Sequence, residues 1–142
     1  MNNDERLRVL YIEDNCDSFE MLKVMLGMCE IDLDSARSGS EALASASSDD
    51  RFDLYLLDGG LPDSNGLSLC RTLRAIAPRT PVLFYSGNAH PEDMERGIEA
   101  GAAGYIIKPN SEKLAATIRQ LVIHYRDASQ PTFTDFRVLA AA

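Results

Sequence analysis

Short apolar runs alternate with amphipathic stripes along almost the whole chain, and this alternation leaves few folds open. Residues 9–12, 54–57, 81–85 and 105–107 are largely apolar runs of strand length, and Ile31-Asp32-Leu33-Asp34 alternates apolar with acidic. Among them lie three stripes at the three- and four-residue spacing of a helix face. They are Phe19, Leu22, Met25, Leu26 and Cys29; Leu69, Cys70, Leu73 and Ile76; and Leu114, Ile118, Leu121, Val122 and Tyr125. Residues 40–47 read as a short helix after the Ser38-Gly39 break, with Ser40 as its N-cap, and 91–100 as a helix with proline near its first turn. Repeated strand–helix units return each strand parallel to the last, with helices on both faces of the sheet. Continuous apolar runs suit strands buried on both sides, and the alternating second run suits an edge.

The expected fold is therefore α/β: a five-stranded parallel sheet in the flavodoxin-like order 2-1-3-4-5, a (βα)5 three-layer sandwich. The chain's 142 residues suit one domain, and 45% hydrophobic residues supply a core. We expect that domain over residues 1–126. Residues 127–142, with Pro131 and no sustained period, read as a tail without an output domain, too short for a helix-turn-helix. A net charge of −8 argues against direct binding of nucleic acid or an anionic membrane. The polar N-terminus is not followed by the hydrophobic region of a signal peptide, and no apolar run approaches the ~20 residues of a membrane span. Cys16, Cys29 and Cys70 match no zinc spacing, so a reduced, cytoplasmic setting is expected, with Cys29 and Cys70 in the core.

The polar residues carry the functional signal. The first strand ends in Glu13-Asp14, the third in Asp58, the fourth in Ser86 and the fifth in Lys108. Parallel strands point these ends the same way, and open α/β sheets bind ligands at that edge, where strand order reverses. Three carboxylates, a hydroxyl and an ammonium then share one crevice. Crowded carboxylates call for a cation. Oxygen donors that leave room for water suit Mg²⁺. A carboxylate is also a nucleophile able to form an acyl phosphate. A lysine beside it offsets the charge of an incoming phosphoryl group, and a hydroxyl can donate to a phosphoryl oxygen.

Four segments together resemble the receiver domain of two-component response regulators, the chemotaxis regulators among them. They are V-L-Y-I-E-D-N, L-D-G-G-L-P-D-S-N-G-L, F-Y-S-G-N and E-A-G-A-A-G-Y-I-I-K-P, in order, within a span from Leu7 to Tyr125. The resemblance implies that Asp58 is the phosphoacceptor. It implies that Glu13, Asp14 and Asp58 hold Mg²⁺ together with the Gly60 carbonyl, and that Ser86 and Lys108 contact the phosphoryl group. Ser86 and Tyr105 would be the switch residues. The implied partners are a histidine kinase or phosphotransfer protein and a downstream protein, with a homodimer as one form. The implied output face is built on Glu92, Glu95, Arg96, Lys113 and Arg119. One departure stands out: Gly59 and Gly60 follow the acceptor, where the family usually carries a larger side chain at the first. The resemblance implies that Gly60 and Asn88, two residues after Asp58 and Ser86, tune phosphate lifetime.

Each residue also has a plainer reading. Asp14-Asn15 suits a helix cap, Asp58-Gly59-Gly60 a turn, Lys108-Pro109 a helix approach and Tyr105 core packing. Met21, Met25 and Met28 read as filler of core or surface. What the plain readings leave unexplained is their joint placement at four strand ends. A receiver fold that has lost phosphorylation is the main alternative. A hydrolase with an aspartate nucleophile would need a second aspartate where Gly60 stands.

Overall fold

The computed structural model describes residues 6–48, 51–58, 66–87 and 90–127. The expected metal ligand Gly60, its neighbour Gly59, Asn88 and the tail beyond Asp127 lie outside the described residues. Along the chain come β1 (Leu7–Ile12), α1 (Cys16–Gly27), β2 (Ile31–Ala36), α2 (Gly39–Ser47) and β3 (Leu54–Leu57). After these come α3 (Gly66–Ile76), β4 (Val82–Ser86), α4 (Pro91–Glu99), β5 (Gly104–Ile107) and α5 (Ser111–Asp127). All strand pairs are parallel, in the order β2-β1-β3-β4-β5. The fold class and strand order are those the sequence led us to expect.

The pleat of the sheet divides the core in two. Leu7, Val9 and Tyr11 of β1, Leu54 and Leu56 of β3, and Leu83 and Tyr85 of β4 face α1 and α5. Leu10, Ile12, Tyr55, Leu57, Val82, Phe84 and Tyr105 face the opposite way, with Ala42 of α2 and Leu69, Cys70 and Leu73 of α3. Burying each Leu or Ile side chain contributes about 1.5–3 kcal/mol before ordering entropy is charged against it. The edge strand β2 alternates as predicted. Its Asp32 and Asp34 pair with Arg6 and Arg8 at 2.8 and 2.6 Å, solvated contacts that add little energy but blunt the edge.

Local chemistry corrects several readings. Ser38, not Ser40, caps α2: its side chain accepts from Glu41 N at 3.2 Å, while Glu41 reaches back to accept from the N–H of Arg37, the residue before the cap, at 2.8 Å. Cys29 is exposed, because α1 ends at Gly27 and Glu30 turns the chain with a positive φ of 64°. Cys70 is buried, and burial pushes its thiol up to about 12. Ile76, at the end of α3, is also exposed. Arg119 donates to the carbonyl of Cys29, so it serves the α1 side of α5 and not the face shared with α4.

Two glycines fix how α4 sits. At Gly97 a Cβ would come within 3.1 Å of the Phe84 ring and 3.3 Å of the Tyr105 ring, so the helix approaches β4 and β5 only without a side chain there. Gly101 leaves α4 with φ 110°, where a Cβ would also stand 3.0 Å from Arg74 Cγ. Gly101→Ala is expected to destabilise the fold by about 1–2 kcal/mol, the strain of a positive φ in a residue with a Cβ. The check is a lowered urea midpoint with an unchanged m value.

Candidate functional site

Strand ends β1, β3, β4 and β5 lie along one edge, and short local devices hold each polar group there. The backbone N–H of Asp58 donates to the Ile12 carbonyl at 3.1 Å, that of Glu13 to Ala36 at 2.9 Å, and that of Lys108 to Ser86 at 2.9 Å. These bonds extend the sheet one residue beyond its strands, so the acidic and basic side chains are rigidly based. Asn15 takes on the capping of α1, its side chain accepting from Ser18 N at 2.9 Å. Asp14 is thereby relieved of the capping role and is exposed.

Lys108 is the centre of the site. Its Nζ lies 3.2 Å from Glu13 Oε1 and 3.2 Å from Asp58 Oδ1. It also sits 5.6 Å from the centroid of the Tyr85 ring, within cation–π reach. Partial burial works against its charge, but Asp58 and Glu13 outweigh that and hold its pKa above the ordinary lysine value. Glu13 is only 4% exposed and fully engaged. Its Oε1 accepts from Tyr11 Oη at 3.0 Å as well as from Lys108, and its Oε2 accepts from Asn15 N at 3.1 Å. Burial, with the neighbouring Glu13 carboxylate, drives the Tyr11 hydroxyl far above its ordinary pKa, so it stays a donor.

The ligand oxygens of Glu13, Asp14 and Asp58 lie within 4.8 Å of one another. Hard oxygen donors at that separation fit a small divalent cation that keeps much of its water. The three carboxylates outnumber the single ammonium, so the cluster retains net negative charge for a cation to neutralise.

Ser86 and Tyr105 form a second group. Tyr105 is 4% exposed, stacks on Phe84 with ring centroids 5.6 Å apart, and shares a hydrogen bond with Ser86. Burial, only partly offset by the Ser86 contact, raises its pKa. The tyrosine, expected from the resemblance to be a switch residue, is turned inward and packed on Phe84. Two residues escaped the sequence reading: Tyr11, and Tyr85, whose hydroxyl accepts from Asn110 N at 3.2 Å and ties β4 to the start of α5. The signal was available. Tyr11 precedes Glu13 by two, and Tyr85 shares its parity with Leu83, so both tyrosines face the side that carries Glu13.

Beside this edge, Met21 and Met25 of α1, with Tyr85, Lys108 and Pro109, line a groove of about 300 Å³. Met21, Val24, Met25 and Met28 are all exposed, an apolar stripe along α1. Among the described residues no helix is long and apolar enough to cross a membrane.

Comparison with known proteins gives a consistent result. The response regulator receiver domain model matches residues 9–119. The cell cycle response regulators CtrA of Brucella ovis and Brucella anthropi are 34% identical over 129 residues, 90% of this chain and 55% of theirs. The chain thus spans about half the length of the curated relatives it matches. Two solved structures also resemble it. A CheY-like response regulator receiver domain protein from Methanospirillum hungatei has TM-score 0.77 and 26% identity, covering 84% of this chain and 96% of that one. The chemotaxis response regulator CheY4 of Vibrio cholerae has TM-score 0.73 and 29% identity, covering 81% and 98%.

The acidic cluster predicts an asymmetric response to Asp14→Asn. Stability without metal should hold or rise, because one of three crowded charges is gone. The rise in melting temperature on adding Mg²⁺ should shrink, with apparent affinity falling at least about tenfold. A Mg²⁺ titration of the melting temperature reads both effects.

Proposed function

This chain belongs to the response regulator receiver family, the premise from which we propose that Asp58 is its phosphoacceptor. Receiver domains of two-component response regulators accept a phosphoryl group on an aspartate and act as signalling switches; they are not enzymes in the usual sense. They generally bind Mg²⁺ at an acidic site and interact with histidine kinases or phosphotransfer proteins. The finer reading concerns this chain's residues. The observation that carries it is the 3.2 Å contact of Lys108 Nζ with Asp58 Oδ1 in a cluster that also holds Glu13 and Asp14.

The chemistry follows from charge. An Asp58 oxygen attacks phosphorus, the bond from phosphorus to the donor's imidazole nitrogen breaks, and the electron pair leaves with the imidazole. Both reactants are anionic, so the step needs positive charge held in place beforehand. Lys108 supplies it from within the chain. Glu13, Asp14 and Asp58, with the Gly60 carbonyl expected from the sequence, are the residues that would hold Mg²⁺, whose charge neutralises phosphoryl oxygens when it is bound. Ser86 donates to the phosphoryl group. Its contact with Tyr105 couples the two residues. The same groups would later admit water for self-dephosphorylation.

The phosphodonor, in this reading, docks over α1. The groove beside Lys108 is mostly apolar, and α1, which lines it with Ser18, Met21, Leu22 and Met25, also carries the exposed acids Asp17 and Glu20. A helix with apolar residues and basic flanks matches that surface, as cytoplasmic phosphotransfer would require. Output passes through α4, β5 and the start of α5, the face that carries Glu92, Glu95, Arg96 and Lys113; Arg96 pairs with Asp93 at 3.1 Å. Arg119 is no longer part of that face.

In the presence of Mg²⁺, a small phosphodonor or cognate kinase should label the protein on Asp58 alone. Mass spectrometry of the parent and Asp58→Ala decides it, and undiminished labelling of the alanine variant would overturn the assignment. Phosphorylation should strengthen self-association or partner binding by the usual coupling, ~1–3 kcal/mol. Sedimentation with and without an acyl-phosphate mimic reads this, and Tyr105→Ala should blunt the response.

A further inference from the structure

We infer that Tyr11 is a positioning residue for phosphoryl transfer: its hydroxyl holds the Glu13 carboxylate so that Lys108 can leave it for the phosphoryl group. The inference rests on the reading of Asp58 as phosphoacceptor and adds a residue to it.

One oxygen carries the argument. Glu13 Oε1 accepts from both Tyr11 Oη, at 3.0 Å, and Lys108 Nζ, at 3.2 Å. Lys108 is also 3.2 Å from Asp58, so the ammonium stands evenly between the two acids. When a phosphoryl group arrives at Asp58, the ammonium is needed there. Moving it strips a donor from a carboxylate that is 4% exposed and has little water to replace the loss. An unsatisfied buried charge is costly, so a Glu13 served by Lys108 alone would hold the lysine back. Tyr11 removes that penalty. It is 1% exposed, and its ring is fixed in the core that β1 shares with α1 and α5, which aims its hydroxyl at Glu13. It remains a donor to Oε1 whichever way Lys108 turns, while Asn15 N serves Oε2 at 3.1 Å. The longer arm of a glutamate at position 13 is what brings the carboxylate within reach of a hydroxyl two residues back on the same strand face.

The test is Tyr11→Phe, which keeps the ring in the core and deletes only the donor. Three quantities are read on the full chain: melting temperature, Mg²⁺ affinity from the shift of that temperature, and the rate constant for labelling by phosphoramidate at saturating Mg²⁺. We expect the melting temperature to fall by a few degrees and the Mg²⁺ affinity to weaken by no more than about tenfold, the loss of one hydrogen bond to a buried ligand carboxylate, with labelling still slowed about tenfold in protein that is fully folded and saturated with Mg²⁺. Labelling at the parental rate under those conditions would overturn the inference, whether or not melting temperature and Mg²⁺ affinity fall, since it would mean that Tyr11 serves only the fold or the metal ligands. If the parent itself takes no label on Asp58, the reading of the acceptor fails, independently of Tyr11.

Discussion

The ammonium of Lys108 between Glu13 and Asp58 is the contact on which the rest of the site depends. Three carboxylates at one sheet edge repel one another, and one of them, Glu13, is almost wholly buried. A buried carboxylate is tolerable only with donors on it, and Glu13 has three: an ammonium, a phenol and a backbone N–H. The lysine comes from the far end of the chain, beyond β5, and only the closed order of the parallel sheet brings it across. The site therefore exists only when β1, β3, β4 and β5 are in register.

The pleat sorts the site into two parts. Glu13 lies two residues beyond Tyr11, Asp58 two beyond Leu56 and Lys108 two beyond Ile106, so the reacting charges continue the rows of side chains that face α1 and α5. Ser86 lies two beyond Phe84, in the row that faces α3 and α4, and there it meets Tyr105. Charge is handled on one face and packing on the other. The Asp58 charge is felt by Tyr105 on the second face, with Ser86 beside it at the rim of the sheet. The close approach of Gly97 to Phe84 and Tyr105 makes that second face sensitive, because α4 cannot stay seated if the ring moves outward.

Much of this was legible in residue order. Apolar runs of strand length, helical stripes between them and an alternating second strand gave the sheet and its edge. The polar residues at the strand ends gave Glu13, Asp14, Asp58, Ser86 and Lys108 their common address. The misses have a shared cause. Cys29 and Ile76 were read from periodicity alone, yet both sit where a helix ends, and Arg119, assigned to the output face by resemblance, is claimed by the Cys29 carbonyl beyond the end of α1. Ser40 was passed over as a cap because Ser38 receives the Glu41 N–H while the Glu41 carboxylate holds the N–H of Arg37 just before it, two bonds that outweigh a lone serine. Tyr11 looked like one more apolar residue in a buried strand, since a pattern of hydrophobicity does not register where a hydroxyl ends.

What the sequence by itself determined is the class of fold and the list of charged groups at its edge, because periodicity and chain direction follow from local geometry. Two arrangements were decided only by the tertiary structure. One is the pairing: Lys108 divided evenly between Glu13 and Asp58, Asn15 capping α1 so that Asp14 is relieved of the task, and Tyr11 sharing an oxygen with Lys108. The other is the inward position of Tyr105, set by the room that Gly97 leaves above Phe84. Both depend on distances between residues far apart in the chain. A hydrogen bond is made or lost over a few tenths of an ångström, and that scale is fixed by how helices seat on the sheet, which no local pattern encodes.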